Sequence, residues 1–215
     1  MTRRSYYEEI KRLAREIRAV YGFTTPKVRL SDLRRIYHSE GIRIETWPPL
    51  SSASRRVRLR QLRGAYIDEP PLPPWVMVAR WLPPEPRIFT LAHELKHHFR
   101  DRNRGILHCL REVGDDVGEI GAEIFAAELI FPDSDFSRHP CGMGIGLGRC
   151  SAEDIVRLKH ETETTLSYSS LAKRAGIMGF APPCSMVRIR WRALAEEMFG
   201  EPLYRRILRD RAQSQ

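Results

Sequence analysis

The spacing of apolar side chains predicts that the chain begins with two helices and a strand. Between residues 5 and 21, apolar side chains recur every three or four positions, which buries one face of a helix. Gly22 ends this predicted helix. A second helix is expected from Ser31, as its N-cap, to about Gly41. Apolar and charged residues then alternate over residues 42–45, which indicates a short strand.

The middle of the chain combines strand patterns with two long helical patterns. Residues 54–63 alternate arginine with apolar side chains, which predicts an edge strand or hairpin arm with one cationic face. Residues 64–68 and the fully apolar run 75–79 predict two more strands. Long helices are expected over about residues 87–99 and 112–130.

The last third of the chain is predicted to be helical after a glycine-containing loop. We expect a loop over residues 133–150, because glycine recurs there without the context of a phosphate-binding motif. Ser151 and Ser167 are expected to cap two helices, and the segment from Val187 onward has a helical pattern. The predicted fold class is α+β, a small antiparallel sheet packed with helices.

The charge balance points to a polyanionic partner. Lysine and arginine number 36 against 27 acidic residues, which gives a net charge of +9. Such an excess favours contact with nucleic acid.

No apolar run could span a membrane and no secretory signal pattern is present, so we expect a cytoplasmic protein without membrane contact. Four cysteines without paired spacing also fit a reducing compartment.

Two clusters of basic residues are candidates for nucleic-acid contact. Aromatic neighbours such as Tyr66 and Tyr168 could stack on the bases of single-stranded DNA. For the first cluster, a charged edge strand that avoids pairing with other chains is an equally good explanation. The candidate residues are Arg55, Arg56, Arg58, Arg60 and Arg63 in the first cluster and Lys173 and Arg174 in the second.

The motif with the clearest chemistry is His-Glu-x-x-His on the helix predicted over residues 87–99. Residues four apart lie on one face of a helix, so His93 and His97 can bind one metal ion. Glu94 can reach a water molecule at that ion and act as its general base.

A catalytic zinc site of this kind needs a third protein ligand. Glu119 follows His97 by 22 residues, which leaves room for one loop and a return helix. Two histidines and a glutamate would leave one coordination position open, as in catalytic zinc sites. The candidates that follow the motif are His108, Cys109, Glu112, Asp115, Asp116, Glu119 and Glu123.

Two segments of the chain resemble the ImmA/IrrE family of bacterial metallopeptidases. They are F-T-L-A-H-E-L-K-H at residues 89–97 and E-I-G-A-E-I-F-A-A-E-L-I-F-P at residues 119–132. The resemblance covers roughly residues 5–180 and includes a helix region at residues 166–176. It implies a zincin-like fold, a zinc ion bound by His93, His97 and Glu119, and Glu94 as the catalytic base.

The same resemblance implies a cytoplasmic zinc endopeptidase with a helix-turn-helix repressor as its substrate. Relatives release the transcription of mobile elements, stress genes or anti-phage operons in this way. The expected function is therefore repressor cleavage in response to DNA damage or stress, with single-stranded DNA as a candidate activator. The alternative is a non-proteolytic, zinc-stabilised DNA-binding regulator, for which residues 151–176 could supply a helix-turn-helix.

The chain departs from the family pattern at two positions. The family usually has glycine at Lys96 and asparagine at Glu123. We expect Lys96 to point to solvent or to a bound substrate. Glu123 lies one helical turn after Glu119, so it could hydrogen-bond His93 or His97, or be a ligand itself.

Further residues are candidates for regulating or assisting the reaction. Cys109 lies between the two predicted helices, and its thiolate could occupy the open position of the zinc ion and inhibit the enzyme. The alternative is an ordinary buried or incidental thiol. Tyr66 and His98 are candidates for the group that stabilises the oxyanion.

The expected organisation places the catalytic residues in the N-terminal part. Residues 1–135 would form the zincin-like domain, and residues 136–150 a glycine-rich connection. Residues 151–215 would form a helical region packed on the first domain, and all three parts could form one compact unit.

Overall fold

The structure, a computed structural model, describes residues 2–47, 62–102, 105–108 and 117–202, with residues 105–108 described by their backbone alone. The chain divides into two compact units. The first contains the residues up to 135 together with 163–166, and the second contains residues 136–162 and those from 167 onward.

Within the described residues, the first unit is a four-stranded sheet with four helices. Its helices are α1 (Arg3–Tyr21), α2 (Leu30–Ser39), α3 (Pro84–Arg100) and α4 (Val117–Ile130). Its strands are β1 (Arg43–Trp47), β2 (Gly64–Asp68), β3 (Trp75–Ala79) and β4 (Gly105–His108). The predicted α+β class is confirmed.

The ends of α1 and α2 show how local side chains set helix boundaries. Gly22 ends α1 as predicted, in the left-handed conformation with φ of 71°. The prediction that Ser31 caps α2 is wrong. The carboxylate of Asp32 accepts a hydrogen bond from the backbone N–H of Arg29 at 2.7 Å, so the helix begins earlier and Ser31 lies in its first turn.

The sheet has the strand order β1-β3-β2-β4 and is mixed. β2 pairs antiparallel with β3 and with β4, as predicted, but β1 pairs with β3 in parallel. The prediction of a fully antiparallel sheet is therefore wrong for one of its three pairings. Strand β3 pairs with β1 on one edge and with β2 on the other. Strand β1 follows α2 in the chain and runs in the same direction as β3.

Helix α3 lies at the centre of the first unit. It packs against α4, α2 and the strands β2 and β3, and α1 packs against α4. Apolar side chains such as Leu91, Ala92 and Leu95 are fully buried there, and so are Phe125 and Leu129 of α4. Because α3 is covered on most of its faces, its polar side chains lie in the interior, where they need hydrogen-bond or metal partners.

The second unit is helical in the part of the chain that the structure describes. It contains most of α5 (Asp133–Gly142), and α6 (Ala152–Thr162), α7 (Tyr168–Ile177) and α8 (Trp191–Phe199). Ser151 and Asp154 cap α6 reciprocally, and Ser167 accepts a hydrogen bond from the N–H of Ser170. Both predicted caps are confirmed.

The predicted loop over residues 133–150 is wrong for its first ten residues. Asp133 and Asp135 stand in the first turn of α5, where carboxylates favour the positive end of the helix dipole. Phe136 anchors the helix by complete burial. Glycines begin only at Gly142, where α5 ends, so they limit the helix rather than prevent it.

Several of the sequence predictions concern residues outside the described ranges. The predicted strand over residues 54–63 falls there except for Leu62 and Arg63, and so do residues 112–116 of the second predicted long helix. Among the helices that the structure describes, none is both long and apolar enough to cross a membrane.

Candidate metal centre

Helices α3 and α4 bring three potential metal ligands together. Nε2 of His93 lies 3.3 Å from Oε2 of Glu119, and Nε2 of His97 lies 3.4 Å from Oε1. The ligand atoms of the three residues all lie within 4.8 Å of one another. Tetrahedral zinc with bonds of about 2.0–2.1 Å separates its ligand atoms by about 3.3–3.4 Å, so the two distances between histidine and glutamate fit that ion.

The buried Nε2 of His93 supports the same assignment. Among the described residues, this atom has no hydrogen-bond partner although it is shielded from solvent. A buried polar atom without a partner is destabilising, and a metal ion at the adjacent Glu119 would provide one. The donor set of two imidazoles and one carboxylate is typical of zinc sites with an open position.

The ring of His97 is oriented by Asp101, a residue that the sequence analysis missed. Nδ1 of His97 donates a hydrogen bond to Oδ2 of Asp101 at 2.9 Å. This contact leaves Nε2 facing Glu119, as in many carboxylate–histidine–zinc arrangements. Asp101 follows His97 by four positions, so the helical spacing could have indicated it.

The carboxylates of Asp101 and Glu119 favour a positive charge on the groups that lie between them. Burial disfavours a charged His97, but hydrogen bonds with Asp101 and Glu119 outweigh it and raise the pKa of His97 to about 9. Burial likewise raises the pKa of Glu119, but His93 and His97 outweigh it and hold that pKa far below its usual range. The site therefore stabilises a cation, whether a proton or a metal ion.

The sequence predicted that Lys96 points to solvent or to a bound substrate, but its side chain points into the interior. Its side chain is fully buried. Its Nζ donates to Oδ2 of Asp101 at 2.6 Å and to the backbone carbonyl of Gly118 at 3.0 Å. The expectation is wrong because α4 covers this face of α3, and the buried ammonium finds partners there.

Glu94 is fully buried on α3, next to His93 in sequence. A Cβ atom at Gly64 of β2 would lie 2.3 Å from Oε1 of Glu94 and 2.5 Å from Cγ2 of Thr90. Only glycine at this position leaves space for the carboxylate. The negative charge of Glu94 also contributes to the raised pKa of His97, which places it close to the candidate ligands.

Comparison with known proteins identifies the part of the chain that holds this centre. Residues 39–144 match the family model Peptidase_M78, described as the IrrE N-terminal-like domain. This region of the chain is therefore similar to the N-terminal domain of that peptidase family. The predicted family is thereby confirmed, and the matched region includes His93, Glu94, His97 and Glu119. No curated protein matches the sequence.

The candidate metal centre is partly exposed through one of its three residues. The side chain of Glu119 is 32% exposed, whereas those of His93 and His97 are 11% and 3% exposed. Glu123, one turn further along α4, is exposed and is not among the three clustered ligands, and its role at either histidine stays a prediction.

The two candidates for the oxyanion donor lie in a separate buried contact of the domain. The hydroxyl of Tyr66 and Nδ1 of His98 are 3.0 Å apart, and both residues are completely buried. Burial and the carboxylate of Asp68 raise the pKa of Tyr66 to about 12. Arg102 contacts the second nitrogen of His98. The two side chains are thus shielded from solvent and pair with each other, which disfavours a direct role at the substrate.

The remaining predicted site residues are only partly described. Cys109 and the basic residues Arg55, Arg56, Arg58 and Arg60 lie outside the described residues, and the side chain of His108 does as well. Arg63 is exposed.

The second unit holds the other basic candidates. Lys173 is exposed on α7, while the guanidinium of Arg174 stacks over the ring of Phe136 at 5.8 Å. Tyr168 stacks on Trp191 with 5.7 Å between ring centroids, and the ammonium of Lys159 lies 5.4 Å from the Tyr168 centroid.

Proposed function

We propose that this protein is a zinc-dependent endopeptidase. The main evidence is that His93 and His97 lie 3.3 and 3.4 Å from the two carboxylate oxygens of Glu119. These distances fit a single zinc ion, and Glu94 adjoins the ligands on the same helix. The match to a peptidase family supports hydrolysis of a peptide bond as the reaction.

The residues of the centre can each be given a role in that reaction. Zinc, when bound by His93, His97 and Glu119, would supply Lewis acidity toward the attacking water and the scissile carbonyl. Glu94 accepts the proton of the attacking water and later delivers it to the leaving amine. Asp101 keeps the ring of His97 in the orientation that ligation requires.

We propose a helix-turn-helix transcriptional repressor as the substrate, cleaved in response to DNA damage or another stress. The support is the resemblance of both motif segments to the ImmA/IrrE family, whose members act on such repressors. The partly exposed Glu119 side of the centre would admit an extended segment of another protein. A cytoplasmic location fits this partner.

The proposal is tested by co-expression with a helix-turn-helix repressor encoded beside the gene. The length of the repressor is followed on a gel before and after DNA damage, with wild-type protein and with Glu94→Gln. Shortening that depends on damage and occurs only with wild-type protein supports the proposal. An intact repressor in the presence of the zinc-loaded wild type contradicts it.

Single-stranded DNA is our proposed activator of cleavage. The second unit presents the exposed Lys173 on α7, and Tyr168, the first residue of that helix, stacks on Trp191. Basic groups beside aromatic rings bind single strands through phosphate contacts and base stacking. A mobility-shift experiment should show binding that weakens with salt and weakens further in Lys173→Ala. Binding that is absent or independent of salt contradicts this activator.

The second candidate function is a DNA-binding regulator in which zinc only stabilises the fold. It is favoured by the pair of helices α6 and α7, which a short segment separates. The two functions differ in their need for Glu94. A regulator of this kind keeps its full effect on transcription in Glu94→Gln, whereas the peptidase loses it.

A further inference from the structure

The buried ammonium of Lys96 is the least expected feature of α3. A charged lysine without exposed surface is rare, because removing an ammonium from water is costly unless charged and polar partners replace the water. The family resemblance places glycine at this position, so the charge is a property of this chain. Its partners therefore indicate what the charge does.

Lys96 and the candidate metal ligand His97 share one hydrogen-bond acceptor, the carboxylate of Asp101. Its Nζ lies 2.6 Å from Oδ2 of Asp101, and that same oxygen accepts the 2.9 Å hydrogen bond from Nδ1 of His97. Asp101 is itself 7% exposed and buried with the pair. One carboxylate oxygen thus joins the ammonium on one side to the imidazole on the other.

Two further contacts fix the ammonium in place. Nζ also donates to the carbonyl of Gly118 at 3.0 Å, in the first turn of α4. The ring of Tyr6 covers it, with the centroid 6.0 Å from Nζ. Gly121 makes room for that ring, since a Cβ atom there would lie 2.8 Å from the hydroxyl of Tyr6. Helices α1 and α4 therefore hold Lys96 against Asp101.

We infer that Lys96 is a positioning residue of the metal centre, which acts on zinc through Asp101 and His97. Anchored by Gly118 and Tyr6, its ammonium holds the Asp101 carboxylate at the place where it orients the imidazole of His97. Without the ammonium, the carboxylate loses a charged partner and turns toward other donors, and His97 loses its fixed orientation. The inference rests on the proposed function, because it requires a metal ion at His93, His97 and Glu119.

Zinc affinity measured by competition with a chelator tests this inference in full-length protein. The variants are Lys96→Met, Asp101→Asn and the double variant with both changes. Loss of a residue that orients a metal ligand weakens binding by about 10- to 100-fold. We expect a loss in this range for Lys96→Met and for Asp101→Asn. In the double variant we expect little loss beyond that of Asp101→Asn, because the two residues act in one chain of contacts.

Lys11→Met is the matched control for removing a lysine from an ion pair. Lys11 of α1 lies 2.9 Å from Asp133, at the opposite end of α4 from Glu119. We expect Lys11→Met to bind zinc as the wild type does. The thermal midpoint of each protein, recorded by circular dichroism with excess chelator, shows whether it is folded. If Lys96→Met does not fold, the comparison of the double variant with Asp101→Asn still tests the inference. The double variant is expected to fold because it leaves no buried charge without a partner.

The outcomes separate this inference from the proposed function. Equal zinc affinity in Lys96→Met and wild type overturns the inference about Lys96. A further tenfold loss of zinc affinity when Lys96→Met is added to Asp101→Asn also overturns it. If the wild type itself binds no zinc, the proposed function fails instead. Weak binding in Lys96→Met and no further loss in the double variant support the positioning role.

Discussion

Gly64 of β2 lies directly against the carboxylate of Glu94 on α3. A side chain at this position would begin 2.3 Å from Oε1 of Glu94, far inside the contact distance of the two atoms. The catalytic base that we propose is thus placed by the absence of a side chain on the neighbouring strand. This relationship leads to a first prediction.

Gly64→Ala should displace Glu94 and reduce peptide hydrolysis while the metal ligands remain in place. A misplacement of about 1 Å at a reacting group can lower the rate by about 100-fold. The measurement is kcat/KM for repressor cleavage, together with the zinc content of the variant. Gly142→Ala is the matched control, because a Cβ atom at Gly142 would meet no atom within 4 Å. Equal activity of Gly64→Ala and Gly142→Ala would contradict this placement of Glu94.

Glu94→Gln should remove the general base but leave the ligand set intact. General acid–base catalysis contributes about 10²–10⁴-fold to rates, and we expect kcat/KM to fall by that factor. Zinc content should stay at the wild-type level, because Glu94 is not one of the three clustered ligands. A variant that loses zinc along with activity would show that Glu94 has a structural role instead.

Arg18 should contribute strongly to the stability of the first unit. Its guanidinium is buried and donates to the carbonyls of Leu129 and Ile130 at the end of α4 and to those of Phe23 and Thr25. Arg18→Ala leaves these carbonyls without a donor and should lower the free energy of unfolding by about 2–4 kcal/mol. Urea denaturation measures this difference.

The control for Arg18 is Arg12→Ala on the same helix. Arg12 and Glu16 form an exposed pair, with side chains 70% and 63% exposed. Such pairs contribute little, so we expect a change within about 0.5 kcal/mol. Equal effects of the two substitutions would contradict the importance of the buried carbonyl contacts.

Cys150 should resist alkylation in the folded protein. Burial raises the pKa of its thiol to about 11, so the reactive thiolate is scarce at pH 8. Cys141 and Cys184 are exposed and should react under the same conditions. Peptide mapping after iodoacetamide treatment measures each site separately. Modification of Cys150 at the rate of Cys184, without prior unfolding, would contradict its burial.

The sequence predicted which candidate ligands lie together better than it predicted their surroundings. The helical spacing of His93 and His97 and the return helix with Glu119 are properties of single helices and of a motif. The structure brings these three residues together as the spacing implies. Asp101 belongs to the same helical periodicity as His97 and could have been predicted from it.

The inward position of Lys96 could not be predicted, because it depends on which neighbour covers that face of α3. A lysine among polar residues usually indicates solvent, and only the packing of α4 and Tyr6 reverses this. The parallel pairing of β1 has the same origin, since strand direction follows from the path of the whole chain. In α5, burial of Phe136 outweighed the local signal of the glycines.

The most direct test of the account is the zinc content of the purified protein and of two glutamate variants on α4. We predict one zinc ion per chain in the wild type, loss of that zinc in Glu119→Ala, and its retention in Glu123→Ala. Elemental analysis after gel filtration gives the three values. A wild type without zinc, a Glu119→Ala variant that retains it, or a Glu123→Ala variant that loses it would contradict the assignment of His93, His97 and Glu119 as the metal ligands.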